Sequence, residues 1–342
     1  MDLYVVESPF QLISAMESYD FYKTPAILII KYNGSRKNDT QLRLLKNMAK
    51  HDQTLEIKLL NSNFFSNIAL LYSLRKIKKK GVRYKRVFIG DYRSFHMRKY
   101  FDCLKSEQCF LLDDGVVMYE INDTLLKYRV DNFYFFGLKG IIKKTIYLMQ
   151  SNLLNLNCKT RREINIFTCY ELEEYGGNKV VRHKFDYLRS IGGAATNRQG
   201  LVYFYGSNIS YLGISLEDEF VYFQYVIDYF NKRNMELIYI PHRNESEHKL
   251  KKIKSIFHIK IKKCIYPAEI DILFEKKVPQ HISSFFSSVL ISLPLIRQFN
   301  SVTSFYLPTK KINNITIREE FDTMKIEYIK KMTVIEMDKI TQ

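Results

Sequence analysis

The chain has 342 residues, 46% of them apolar and 26% charged, which is more than one small domain needs and is the composition of a folded rather than a disordered protein. Its apolar runs, such as Ala26 to Ile30 and Phe133 to Leu138, fall short of the roughly 20 residues of a membrane-spanning helix. Asp2, Glu7 and Glu17 stand where a secretory signal would be basic and then apolar, so a cytoplasmic protein is expected.

The elements alternate from the start. Leu3 to Val6 reads as a strand that runs into Ser8-Pro9, a helix cap followed by a first-turn proline, with Phe10, Ile13 and Met16 on the apolar face of the helix. Further strands are expected at Ala26 to Lys31, Leu55 to Leu60, Arg86 to Ile89, Cys109 to Leu112 and Ile164 to Cys169, with helices over about 40–50, 64–80 and 93–105. A glycine-containing stretch from Tyr175 to Asn197 reads as a linker. The second half predicts strands at Leu201 to Tyr205, Glu236 to Ile240, Ile261 to Ile265, Gln280 to Ser283 and Val302 to Tyr306. Between them, helices are expected over Leu216 to Arg233, over Ser246 to Ser255, from Ala268 and from Ser288. Alternation of this kind is the signature of parallel sheets covered by helices. The expectation is an α/β chain of two Rossmann-like domains, 1–190 and 198–342, with the C-terminal helix packing back on the first.

The formal net charge is +17, concentrated in Arg75 to Arg86 and Lys249 to Lys263. Such stretches suit solvated helix faces or an anionic partner; no nucleic-acid-binding signature accompanies them, so nucleic acid is not an expected partner. The five cysteines are scattered without a C-x-x-C pair and read as reduced thiols, neither a disulfide framework nor a zinc site.

In open parallel sheets, ligands sit beyond the carboxyl ends of the strands. Asp113-Asp114-Gly115 follows the run Phe110 to Leu112 there. Adjacent side chains on an extended segment point oppositely, so one carboxylate can face a ligand as general base while the other anchors the loop; a plain turn is the alternative. Pro241-His242-Arg243 follows another strand and sets an imidazole beside a guanidinium, a pair suited to a phosphate that gains charge as a bond to it breaks. Ser287-Ser288 opens an apolar helix, either as a phosphate cradle or as an ordinary cap. Gly206-Ser207-Asn208 is a weaker version of the same signal, and Glu269 stands at a helix start where it could meet a ribose. No Walker loop, G-x-G-x-x-G, G-x-S-x-G or H-E-x-x-H is present, and no clear D-x-D, so a metal-independent transferase is favoured.

In order along the chain, Val6-Glu7-Ser8-Pro9-Phe10-Gln11-Leu12, Asp113-Asp114-Gly115, Pro241-His242-Arg243, Tyr266-Pro267-Ala268-Glu269 and Ser287-Ser288 resemble the bacterial sialyltransferases, in particular the lipooligosaccharide sialyltransferases of glycosyltransferase family 52 and the related capsule polysialyltransferases. The resemblance spans nearly the whole chain and lies in the order of short motifs. It departs at the histidine, which the family pattern follows with proline, whereas Arg243 follows His242 and Pro241 precedes it. The resemblance implies a GT-B fold of two domains facing each other across a cleft. It implies inverting transfer of a sialic acid, or a related nonulosonic acid, from a CMP-sugar, with no metal or other cofactor.

On that pattern Asp114 is the general base, His242 assists departure of CMP, Ser287 and Ser288 hold its phosphate, and Glu269 binds its ribose. Gly115, Gly206, Ser207, Asn208, Pro241 and Arg243 group with the donor side; Ser8, Gln11, Asp91 and Arg93 group with the acceptor. The acceptor would be a lipid-linked bacterial surface glycan (O-antigen, lipooligosaccharide or capsule), with the basic stretches meeting the anionic inner membrane. The alternatives are a GT-B transferase for CMP-Kdo or a UDP-sugar, and a basic nucleotide- or nucleic-acid-binding protein without activity.

Overall fold

The computed structural model describes residues 1–49, 53–57, 63–123, 137–161, 163–207, 209–312 and 315–338. The chain divides into two compact units, Met1–Tyr187 and Leu188–Gln342.

The first unit contains β1 (Asp2–Val6), α1 (Pro9–Tyr22), β2 (Ala26–Lys31), α2 (Arg36–Lys46), β3 (Gln53–Ile57), α3 (Asn63–Lys79) and β4 (Arg83–Ile89). It continues through α4 (Phe95–Cys103), β5 (Lys105–Leu112), α5 (Val117–Ile121), α6 (Gly137–Leu153), β6 (Asn165–Thr168) and β7 (Val180–Arg182). Its sheet runs β3-β2-β1-β4-β5-β6-β7 with every pair parallel. A parallel sheet is covered on both faces, so its strands are apolar runs rather than alternating ones; β1 is buried at all five positions. Tyr4, Phe88 and Phe110 sit in register on β1, β4 and β5 and stack with ring centroids 4.4 and 5.1 Å apart. Beside them Arg86 crosses to Asp2, its register partner, at 3.0 Å and lies 3.8 Å from the centre of the Tyr22 ring.

Ser8 caps α1 by accepting from the Gln11 N–H, with Pro9 in the first turn, as the sequence predicts. The stretch read as a linker is not one throughout. Gly176 and Gly177 turn the chain at positive φ, and the segment beyond them adds β7 as the outer strand of this sheet. Three half-exposed residues with no alternation carry too little signal to be found. The expected strand at 55–60 begins earlier, at Gln53, and its positions 58–60 lie outside the described residues. The expectation of five separate thiols fails at two of them: Cys103 at the end of α4 and Cys158 form a disulfide with Cα atoms 5.3 Å apart. Cys109, Cys169 and Cys264 take no part in a disulfide. Spacing alone could not reveal a pair 55 positions apart.

The boundary falls within α7 (Asp186–Ile191). The second unit then runs β8 (Thr196–Tyr205), α8 (Leu216–Asn231), β9 (Glu236–Ile240), α9 (Glu247–Phe257), β10 (Lys260–Ile261) and α10 (Ala268–Asp271). It ends with β11 (Lys277–Ser284), α11 (Val289–Ile296), β12 (Ser301–Tyr306), α12 (Ile315–Lys331) and β13 (Thr333–Glu336). Its sheet, β10-β9-β8-β11-β12-β13, is also wholly parallel. Phe204 centres the core, packed on Phe223 of α8, Tyr239 of β9 and Phe285. The C-terminal helix α12 stacks Phe321 on Phe286 of its own unit, centroids 3.8 Å apart. The strand expected at 261–265 is only two residues long, because the chain leaves the sheet edge after Ile261.

Both sheets change direction of connection at an inner strand. In the first, β1 is flanked by β2 and β4; in the second, β8 is flanked by β9 and β11. The crevice outside the carboxyl ends at such a point is where this class of sheet takes its ligand.

Candidate functional site

In the first unit, the two adjacent carboxylates that leave β5 point apart. Asp113 is fully buried: it accepts from Thr168 Oγ1, from the Cys169 N–H at 2.9 Å and from His183 Nε2 at 3.0 Å, while its own N–H donates to Ser14 Oγ. It ties the end of β5 to the segments after β6 and β7. Asp113, Cys169 and His183 bring ligand atoms within 4.8 Å of one another, all buried. A metal there would have to displace the hydrogen bonds to Asp113, so the cluster reads as a latch.

Asp114 turns the other way, with 12% of its side chain exposed. Gln11 Nε2 donates to its Oδ1 at 2.7 Å and Arg93 Nη2 to its Oδ2 at 2.5 Å. Arg93 is itself held by Asp91, which accepts from both its Nε and its backbone N–H. Gln11 is aimed by the Glu7 N–H, which donates to Oε1 at 2.9 Å. Gly90 completes the arrangement by its lack of a side chain, since a Cβ there would lie 2.1 Å from Gln11 Oε1. Gly115, at φ +81°, makes the turn after the carboxylate in a conformation that costs glycine nothing. Burial pushes the Asp114 carboxyl up to about 7, helped by the charges of Asp91 and Glu7 and opposed by Arg93 and the Gln11 hydrogen bond. A carboxylate titrating near neutrality can both accept a proton and release it at working pH. Of the residues grouped with the acceptor, Gln11, Asp91 and Arg93 converge on Asp114, whereas the Ser8 hydroxyl accepts the capping bond of α1.

In the second unit, Pro241-His242-Arg243 follows β9, and the loop is organised by Glu245, a buried residue that the sequence reading passed over. Its carboxylate accepts from the His242 N–H at 2.8 Å, from Tyr239 Oη at 2.6 Å and from Lys249 Nζ. Lys249 also bonds Glu219 and the Ser207 carbonyl. Thus the basic stretch that begins at Lys249 is not simply a solvated face. Gly206 passes so close that a Cβ would meet Tyr239 Oη at 2.4 Å and Glu245 Oε2 at 2.6 Å. The Asn244 N–H donates to His242 Nδ1 at 3.2 Å, which leaves Nδ1 unprotonated and places the proton of the neutral ring on Nε2. The Ser207 hydroxyl bonds the Phe286 carbonyl at 2.7 Å, tying the end of β8 to the segment that leads into Ser287-Ser288.

Ser288 stands at the N-cap of α11 without a side-chain cap bond, Ser287 Oγ accepts from the Val289 N–H, and Tyr328 Oη holds the Ser287 carbonyl. One turn on, Ser292 donates to Glu269 at 2.7 Å. Burial raises the Glu269 carboxyl, and the Arg243 charge acts against that shift, so Arg243 and Glu269 feel one another. The structure therefore groups Gly206, Ser207, Pro241, His242, Arg243, Glu269, Ser287 and Ser288 around the carboxyl ends of β8, β9 and β11. Asn208 lies outside the described residues.

A signal for Glu245 did exist. Glu245 and Lys249 are four apart and could have been read as a pair at the start of α9, but nothing in the sequence says that the pair is buried.

No family model matches the chain, and no curated protein matches it in sequence. Solved structures do match. An α/β-galactoside α-2,3-sialyltransferase from Photobacterium phosphoreum is similar over 99% of this chain and 98% of its own, with a TM-score of 0.55 at 12% identity. A UDP-GlcNAc 2-epimerase from Methanocaldococcus jannaschii, solved with UDP-GlcNAc and UDP, is similar over 98% of this chain and 88% of its own, with a TM-score of 0.50 at 11% identity. The fold is α/β of the GT-B type, like that of a bacterial sialyltransferase.

Proposed function

We propose that the chain is a sialyltransferase-type glycosyltransferase that transfers a sialic acid, or a related nonulosonic acid, from a CMP-sugar to a hydroxyl of a bacterial surface glycan, with inversion and without a metal. The observation that carries this reading is Asp114: a mostly buried carboxylate at a strand's carboxyl end, raised to about 7 and aimed by Gln11 and Arg93. Asp114 takes the proton of the acceptor hydroxyl as its oxygen attacks the anomeric carbon. The bond to the CMP phosphate breaks, and the charge that grows on that phosphate is met by His242 Nε2–H and by Ser287 and Ser288. Glu269 and Arg243 attend the rest of the nucleotide. The motif order resembling family 52 and the likeness to the Photobacterium enzyme support this donor. The reaction is tested by incubating the protein with CMP-sialic acid and a panel of galactosides and weighing the products by mass spectrometry. A sialylated product is expected; the absence of both product and donor hydrolysis would overturn the reading.

A UDP-sugar donor is the second reading, favoured by the likeness to the epimerase. Thermal-shift titration with CMP, UDP and GDP separates the two: stabilisation by CMP alone is expected, and stabilisation by UDP alone would select the second.

A further inference from the structure

The helix α6 (Gly137–Leu153) presents a stripe of apolar residues to the solvent. Ile141, Ile142, Ile146, Met149 and Leu153 are between 42% and 79% exposed. At 3.6 residues per turn these five fall within one arc of about 140°. The packing of α6 onto its unit uses the other side: Tyr147 stacks with Phe95 and meets His96 edge-on, Gln150 bonds His96 Nε2 and Ser151 is buried. An amphipathic surface helix ordinarily has the reverse orientation, with its apolar stripe against the core, and a contiguous exposed apolar patch marks an interaction surface.

The charge around the stripe identifies the partner. Lys143 and Lys144 lie about 60° beyond its two edges, Lys143 over the Tyr147 ring, and α6 contains no aspartate or glutamate. Past its end, Lys78 of α3 donates to the Asn155 carbonyl at 3.0 Å, which brings the basic last turn of α3, with Lys76 and Lys79, beside the exit from α6. Two copies meeting through this face would set lysines against lysines, since a two-fold contact is self-complementary. An anionic bilayer would instead take the apolar stripe into its acyl boundary and pair the lysines with its headgroups.

We infer that α6 lies in the surface of an anionic lipid bilayer, with Ile142, Met149 and Leu153 inserted and Lys143, Lys144 and the end of α3 on the headgroups. This docking is separate from the transfer reaction: vesicle binding and turnover of a soluble acceptor can each fail while the other succeeds.

The test is flotation with vesicles of phosphatidylcholine alone and with about one third phosphatidylglycerol. The parent protein is expected to float with the anionic vesicles, less so at high salt, and to stay behind with the neutral ones. Ile142→Asn/Met149→Asn/Leu153→Asn should lower the affinity at least about tenfold with an unchanged circular dichroism spectrum. Lys143→Gln/Lys144→Gln should lower it about fivefold per charge. Leu153→Asn alone, at the last and most exposed position, guards against a triple variant that misfolds, and should weaken binding measurably. Binding by the folded triple variant equal to the parent's would overturn the inference. So would a parent that ignores both vesicles, including one that is a dimer which the triple variant makes monomeric.

Discussion

Gln11 Nε2 donates to Asp114 Oδ1 at 2.7 Å, joining the first turn of α1 to the loop after β5 across 103 positions of sequence. The contact exists because Gly90 leaves room for it. Gly90→Ala should push Gln11 aside and lower kcat by at least about tenfold, with the KM for donor little changed, because a misplaced catalytic group loses its orientation. Steady-state kinetics check this, and an unchanged kcat would separate Gln11 from the base.

The charges around Asp114 predict two opposite displacements of the pH–rate profile. Its carboxyl titrates at about 7, so activity should rise with pH through that value as the base form appears. Arg93 favours the ionised form and Asp91 disfavours it. Arg93→Gln should therefore move the acid limb to higher pH, and Asp91→Asn should move it to lower pH. Displacement of both in the same direction would exclude Asp114 as the group observed.

The neighbouring carboxylates should respond to amidation with opposite signs. Asp114 titrates higher in the folded chain than its ordinary unfolded value of about 3.9. Stability is therefore lost as pH rises from about 4 to about 7, where the unfolded chain ionises first, and the full cost remains above 7. Asp114→Asn should raise the melting temperature by several degrees at pH 8 and hardly at all at pH 4, while transfer falls by about two to four orders of magnitude. Asp113→Asn should lower the melting temperature, because an amide cannot accept from Thr168, Cys169 and His183 together; a loss of about 1–3 kcal/mol is expected from chemical denaturation.

Breaking the buried group behind His242 should be costly. Lys249 is shared by Glu245 and Glu219, and removing one partner of a buried pair costs about 3–5 kcal/mol. Glu245→Ala should lose an amount of that order on urea denaturation, whereas Glu247→Ala, an exposed neighbour, should stay within about 0.5 kcal/mol of the parent.

Much of this architecture was legible in the sequence because parallel strands are buried on both faces. Runs such as Tyr4 to Val6 or Phe110 to Leu112 announce themselves, and the residues that follow them fall at the ligand-binding edge by topology alone. Ser8-Pro9 declared a helix start by local chemistry. What escaped is decided by the folded chain: β7 is half-exposed, Cys103 and Cys158 meet only in three dimensions, and the spacing of Glu245 and Lys249 does not say that the pair is buried. The two glycines that matter most for the site, Gly90 and Gly206, are defined by neighbours that the chain supplies elsewhere.

The latch on Asp113 also fixes the order in which the protein can mature. Gln11, Gly90, Asp91, Arg93 and Asp114 are all synthesised before Thr168, Cys169 and His183. Until those three arrive, the Asp113 carboxylate lacks its hydrogen-bond donors. The loop that carries the base therefore sets after most of its own unit has been synthesised, and a nascent chain halted before β6 would hold every residue of the Asp114 cluster without the means to fix it in place.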